Sequence, residues 1–214
     1  MSSSRSGTAS PGFTSTGFVA VDAGARPFYL MASGFAIVAG LSWMGVGPGW
    51  MRHQRIDAPW LAHEAIFGVL AALFIGFLYR AAQNWTRRDP ARGMWLVFIA
   101  GVWLAGRGAM LMAPDAVLAA VDCAFLLFAP LPLYSVLKRA RMPKHVVLVD
   151  LLCLLSLLNV LYHAAALGMS PLGPGKFVEA AAIVSLVLAI LCVRHAGADR
   201  KAAAAGTPSS ADLS

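Results

Sequence analysis

Trp60-Leu-Ala-His-Glu-Ala-Ile-Phe-Gly-Val-Leu-Ala-Ala-Leu-Phe-Ile-Gly-Phe-Leu-Tyr79 is apolar for almost its whole length, yet two ionisable residues stand near its start. A helix of about 20 such residues spans the roughly 30 Å hydrocarbon core of a bilayer. His63 and Glu64 cost free energy at its mouth unless something pairs with them. Along the same stretch Glu64, Gly68, Ala72 and Gly76 recur every four residues. That is one helical face, and its small residues let a neighbouring helix approach closely.

The whole chain has the same character. Of its 214 residues, 59% are hydrophobic and 13% charged, where soluble domains carry about 25% charged residues. The formal charge of +7 would suggest nucleic acid in a soluble domain. Here the basic residues sit in short loops between apolar runs, where they set membrane orientation instead. Cys123, Cys153 and Cys192 all lie inside apolar runs and form no CxxC, so they read as small buried hydrophobes. No cleavable signal peptide is expected, because the first apolar run lies behind a Ser/Gly-rich leader and is long enough to span.

Taken in order, residues 1–25 read as a disordered tail. Arg26-Pro27 opens a first span, about Phe28 to Val46, with proline at a position where its missing N–H costs nothing. Gly47-Pro48-Gly49 ends it. The second span is about Trp60 to Ala82, followed by a polar loop from Gln83 to Gly93. The third, about Met94 to Met112, contains Arg107. The hairpin Ala113-Pro114-Asp115 leads to a fourth, about Ala116 to Leu137, with Asp122 inside and Pro130 and Pro132 loosening its end. After the basic loop Lys138–Lys144 comes a fifth, about Val146 to Leu167, carrying Asp150, Asn159 and His163. The sixth, about Phe177 to Val193, has Glu179 near its start. The expectation is an all-α polytopic membrane protein: a six-helix transmembrane domain over 26–195, with a disordered tail over 196–214.

Of the 17 Lys and Arg residues, thirteen fall in the tails and the two loops on their side; Arg52, Arg55, Arg107 and Lys176 belong to the other. That positive-inside bias predicts both termini in the cytoplasm. Compact size and short loops suit a bacterial inner membrane.

With that topology His63 and His163 lie at matched depth, about 5–6 Å inside the outer boundary at 1.5 Å per residue. Asn159 shares the face of His163. Arg107, Asp122 and Glu179 approach the same side. Neutral imidazoles at matched depth on two helices can ligate a haem iron or a copper. Arg107 or Arg52 offers a cation for haem propionates, and Glu64 or Asn159 an acceptor that orients a ligating imidazole. Met44, Met51, Met110, Met112 and Met169 fall near the outer ends, and thioethers suit Cu(I). Each feature has a plainer reading. A membrane histidine can simply hydrogen-bond a neighbouring helix, Arg107 with Asp122 reads as a structural ion pair, and the methionines read as packing. His53, His145 and His195 read as loop or interfacial residues.

Several stretches resemble the NnrS family of bacterial membrane proteins: His63-Glu64, Phe67-Gly68, Gly76-Phe77, Asn84-Trp85-Thr86, Trp103-Leu-Ala-Gly-Arg107, and Asn159 with His163. The likeness covers roughly residues 26 to 170. It implies a haem- and copper-associated protein linked to nitric oxide metabolism and resistance to nitrosative stress. On that reading haem b and copper are the expected cofactors, held by His63 and His163, with Arg107, Asn159 and Glu64 around them. Nitric oxide is the expected small ligand. Typical members contain a second six-helix half, so the expected partners besides the lipid bilayer are a second copy or another membrane subunit. The Gly/Ala face of the second helix would suit such pairing. Where members often carry a further histidine two residues before His63, this chain has Leu61. Two other readings stand beside it: a b-type cytochrome-like electron-transfer subunit, and a small-solute or metal transporter, which predicts broken helices.

Overall fold

The computed structural model describes residues 25–45, 58–112 and 115–205. The expected tail before residue 25, the Gly47-Pro48-Gly49 terminator, Met51, Arg52, His53 and Arg55, and the end of the C-terminal tail lie outside the described residues. So does Ala113-Pro114 of the hairpin.

Within the described residues the fold is all-helical. It consists of α1 (Arg26–Trp43), α2 (Ala58–Thr86), α3 (Met94–Met112), α4 (Asp115–Arg139), α5 (Pro143–Ala166) and α6 (Pro174–Ala205). Four of them, α2, α4, α5 and α6, are long and apolar enough to cross a membrane; the apolar run of α3, Met94–Met110, is shorter, and α1 falls outside that set. Large apolar side chains face outward along the bundle, among them Leu30, Val97, Ile183 and Leu186. Such a surface suits lipid and would be costly in water.

Two helix boundaries depart from the sequence reading, each for a local reason, and one expected interruption is present. The second helix does not stop at Ala82 but carries Asn84-Trp85-Thr86, and it ends where Arg87 turns left-handed at φ 57°. The Thr86 hydroxyl donates to the Ala82 carbonyl at 2.7 Å, a bond that keeps this polar residue in the last turn. The sixth helix runs past Val193 to Ala205. The segment expected to be disordered is alanine-rich there, and alanine is the strongest helix former. In α4 the helix is interrupted at Ala129, just before Pro130 and Pro132, where two backbone donors are missing. The dihedrals there stay helical: Ala129 keeps φ −61° and ψ −35°, and its N–H still reaches the Phe125 carbonyl at 2.9 Å.

The core places α2 and α5 in the middle. Phe28 of α1 is fully buried edge-on against Tyr79 of α2, with ring centroids 5.6 Å apart. The Tyr79 hydroxyl crosses to α4 and donates to the Ala129 carbonyl at 2.8 Å. Leu148, Leu152 and Leu155 of α5 and Ala181 and Leu188 of α6 complete the same cluster. The small stripe of α2 is buried inside this chain. A Cβ on Gly76 would meet Phe28 Cβ at 3.2 Å, and one on Gly68 would overlap Arg107. This stripe therefore receives α1 and the Arg107 guanidinium, and it is not free to pair with a second copy. The open glycines Gly101 and Gly108 lie on α3 instead.

Candidate functional site: a buried histidine–carboxylate cluster

One turn of α2 is wound differently from the rest. Residues Glu64–Leu70 form a π-helical stretch, and its last bond runs from the Ala71 N–H to the Ile66 carbonyl. Such wide turns are rare and commonly mark functional sites. Here the stretch begins directly after His63. The Trp103 indole of α3 donates to the Gly68 carbonyl at 3.0 Å, tying α3 to this turn.

Six polar side chains from four helices meet beside it: His63 and Glu64 of α2, Arg107 of α3, Asp122 of α4, and Asn159 and His163 of α5. All six are buried, His63 and Glu64 completely. Arg107 spans the two carboxylates, with Nη1 donating to Glu64 Oε2 and Nη2 to Asp122 Oδ1. Its guanidinium also lies 5.7 Å from the ring centres of both Phe35 and Trp103. Asp122 Oδ2 then gathers the rest. The Asn159 amide donates to it at 2.9 Å, and the Nε2 atoms of His163 and His63 lie 3.0 and 3.6 Å away. The His63 ring is packed at a tilt against Tyr162, 4.3 Å between ring centroids, and against Phe67 at 4.9 Å.

Two features of this arrangement call for a cation. Two carboxylates against one guanidinium leave one formal negative charge in a buried, low-dielectric setting, where an uncompensated charge is costly. His63 also faces acceptors at both ring nitrogens: Glu64 Oε1 is 3.3 Å from Nδ1, and Asn159 Oδ1 is 3.0 Å from Nε2. A neutral imidazole has only one N–H to offer. A cation beside Nε2 answers both problems, whether it is a proton on the ring or a metal ion among the donors. His63, Asp122 and His163 each supply a ligand atom, all within 4.8 Å of one another. Metal–nitrogen and metal–oxygen bonds of about 2.0–2.2 Å require only a small inward adjustment from there.

The expected residues His63, Glu64, Arg107, Asn159 and His163 are thus brought into one cluster. Asp122 is its hub and the residue the sequence reading undervalued, having taken it only as the partner of Arg107. That ion pair is present, but the second carboxylate oxygen does more. Glu179 is not part of the cluster; it is exposed and pairs with Lys176 at 2.9 Å. Met44 and Met169 are exposed too, so they do not converge as thioether ligands.

The expected haem does not fit between the two histidines. An iron ligated axially by both would need their rings to face each other across a flat macrocycle. Instead the ring centroids are 5.2 Å apart at 72°, with His163 Nε2 on Asp122 Oδ2 and His63 Nε2 on Asn159 Oδ1, both at 3.0 Å. Two imidazoles and a carboxylate suit a bare transition-metal ion such as copper or non-haem iron.

A family model described as NnrS protein matches residues 20–196. No curated protein and no solved structure gives a match. The family match takes in every residue of the cluster, and the chain belongs to the NnrS family.

Proposed function

We propose that this chain is a six-span protein of the bacterial inner membrane that holds a copper ion between His63, Asp122 and His163. We further propose that it takes part in nitric oxide metabolism or the response to nitrosative stress. The observation that carries the metal reading is the doubly acceptor-facing His63 beside a carboxylate pair with one excess negative charge. The nitric oxide role rests on family membership. The bias of Lys and Arg toward one side supports cytoplasmic termini, and with them a site in the outer leaflet.

A copper ion held there supplies one-electron chemistry and a coordination position for a small gas. The chain's own residues do the positioning. Glu64 accepts from His63 Nδ1, which turns the Nε2 lone pair toward the donors of α4 and α5. The Asn159 amide and Arg107 hold Asp122 from two sides. Phe67 and Tyr162 cover the His63 ring and exclude water from it. The interrupted α4 favours a second reading, transport of a metal ion; retention of the ion through purification separates the two.

The test is to purify the full chain from copper- and haem-sufficient cells, measure bound metals, and record oxidised, reduced and nitric oxide-treated visible spectra. One copper per chain, absent from His63→Ala and His163→Ala, is the expected result. A b-type haem spectrum lost in both variants would contradict the bare-ion form and restore the haem expectation. No metal and no haem in the wild-type chain would remove both.

A further inference from the structure

At the far end of the bundle from this cluster, α4 ends and α5 begins around a cleft of about 270 Å³. Tyr134, Lys138 and Arg141 line it, with Val146 and Asp150 further along α5. The Lys138 ammonium lies 5.3 Å from the centre of the Tyr134 ring. Arg141 adopts a left-handed backbone at φ 55°. That conformation is cheap for glycine and costly for a branched or long side chain. The turn closes as helix ends usually do, with the Met142 N–H donating to the Leu137 carbonyl at 3.2 Å. The turn itself therefore does not require an arginine.

From these observations we infer that the cleft between α4 and α5 binds the phosphodiester headgroup of one anionic phospholipid. Both helices are long and apolar enough to cross a membrane, and the cleft lies at the end they share. Lys138 and Arg141 supply two cations for phosphate oxygens, and a tyrosine at that level matches the aromatic belt of membrane interfaces. Pro143 and Val146 give an apolar wall for the start of an acyl chain. The Asp150 carboxylate opposes a second negative charge. The fit is therefore to a monoanionic phosphodiester rather than a phosphate monoester.

Nondenaturing mass spectrometry of the full chain, released from detergent with defined lipids, reads this directly. The wild-type chain retains one phosphatidylglycerol in preference to phosphatidylcholine and phosphatidic acid. Lys138→Ala and Arg141→Gly each lower that retention about fivefold, the effect of one cation near a lipid surface. Arg141→Gly suits its backbone conformation, so its thermal stability stays at or above wild type and a folding defect cannot explain the loss. Equal retention of phosphatidylglycerol by Arg141→Gly and wild type overturns the proposal. So does equal retention of phosphatidylcholine or of phosphatidic acid. Displacement of the lipid by inorganic phosphate overturns it as well, in favour of a site for the free anion.

Discussion

Arg107→Met removes the cation that joins α2, α3 and α4 while keeping most of its bulk. The wild-type guanidinium donates to Glu64 and Asp122 at once, and all three side chains are buried. The variant leaves two buried carboxylates without the guanidinium they share. Removing one partner of a buried ion pair costs about 3–5 kcal/mol, and the second carboxylate argues for the upper end. At about 2–4 °C per kcal/mol for a chain of this size, the midpoint of thermal unfolding in detergent falls by roughly 6–20 °C. Circular dichroism at helical wavelengths follows it. The double variant Asp122→Asn/Arg107→Met should recover part of the loss, because it removes one of the orphaned charges. A midpoint for Arg107→Met within about 2 °C of wild type, or a double variant less stable than the single one, would refute this account of the cluster's charge balance.

Three other perturbations have separate readouts. Gly68→Ala puts a methyl group where Arg107 and Glu64 Oε2 already lie; it should cost about 1–3 kcal/mol by overpacking and lower metal retention, and full retention with wild-type stability counts against the packing described. Tyr79→Phe loses the bond to the Ala129 carbonyl, costing about 1 kcal/mol and leaving metal content unchanged, which separates the core from the site. Phe28→Ala empties a fully buried position in the contact between α1 and α2; a cost of about 3–5 kcal/mol is expected in equilibrium unfolding, and a loss under about 1 kcal/mol would mean α1 is not docked as described.

Hydropathy runs alone laid out six helices, because the bilayer requirement writes long apolar segments into the chain; four of the six are long and apolar enough to cross a membrane. That His63 and His163 come to the same level of the bundle was legible for the same reason: antiparallel helices and a fixed rise per residue bring them together. Lateral order was not. Nothing in a linear sequence says that α4 sits between α3 and α5, so Asp122 could be matched with Arg107 across a short hairpin but not seen as the acceptor for His163 and Asn159. The small stripe of α2 was visible as a close-packing face, yet whether it met a helix of the same chain or of another depended on that same lateral order. The π-helical turn at Glu64–Leu70 carries no signal in composition; the Trp103 indole bond to Gly68 and the room taken by Arg107 show it only in three dimensions. The extension of α6 to Ala205 was misjudged because alanine and serine were weighed together, although alanine favours helix and serine does not.

The central claim is that His63 and His163 ligate one metal ion together. Pulsed electron paramagnetic resonance of the Cu(II)-loaded full chain counts the imidazoles on that ion. The account predicts a signal from two histidines in the wild-type chain and no site-bound Cu(II) signal in His63→Ala or His163→Ala. A wild-type signal from a single histidine, or one unchanged in either variant, would contradict it.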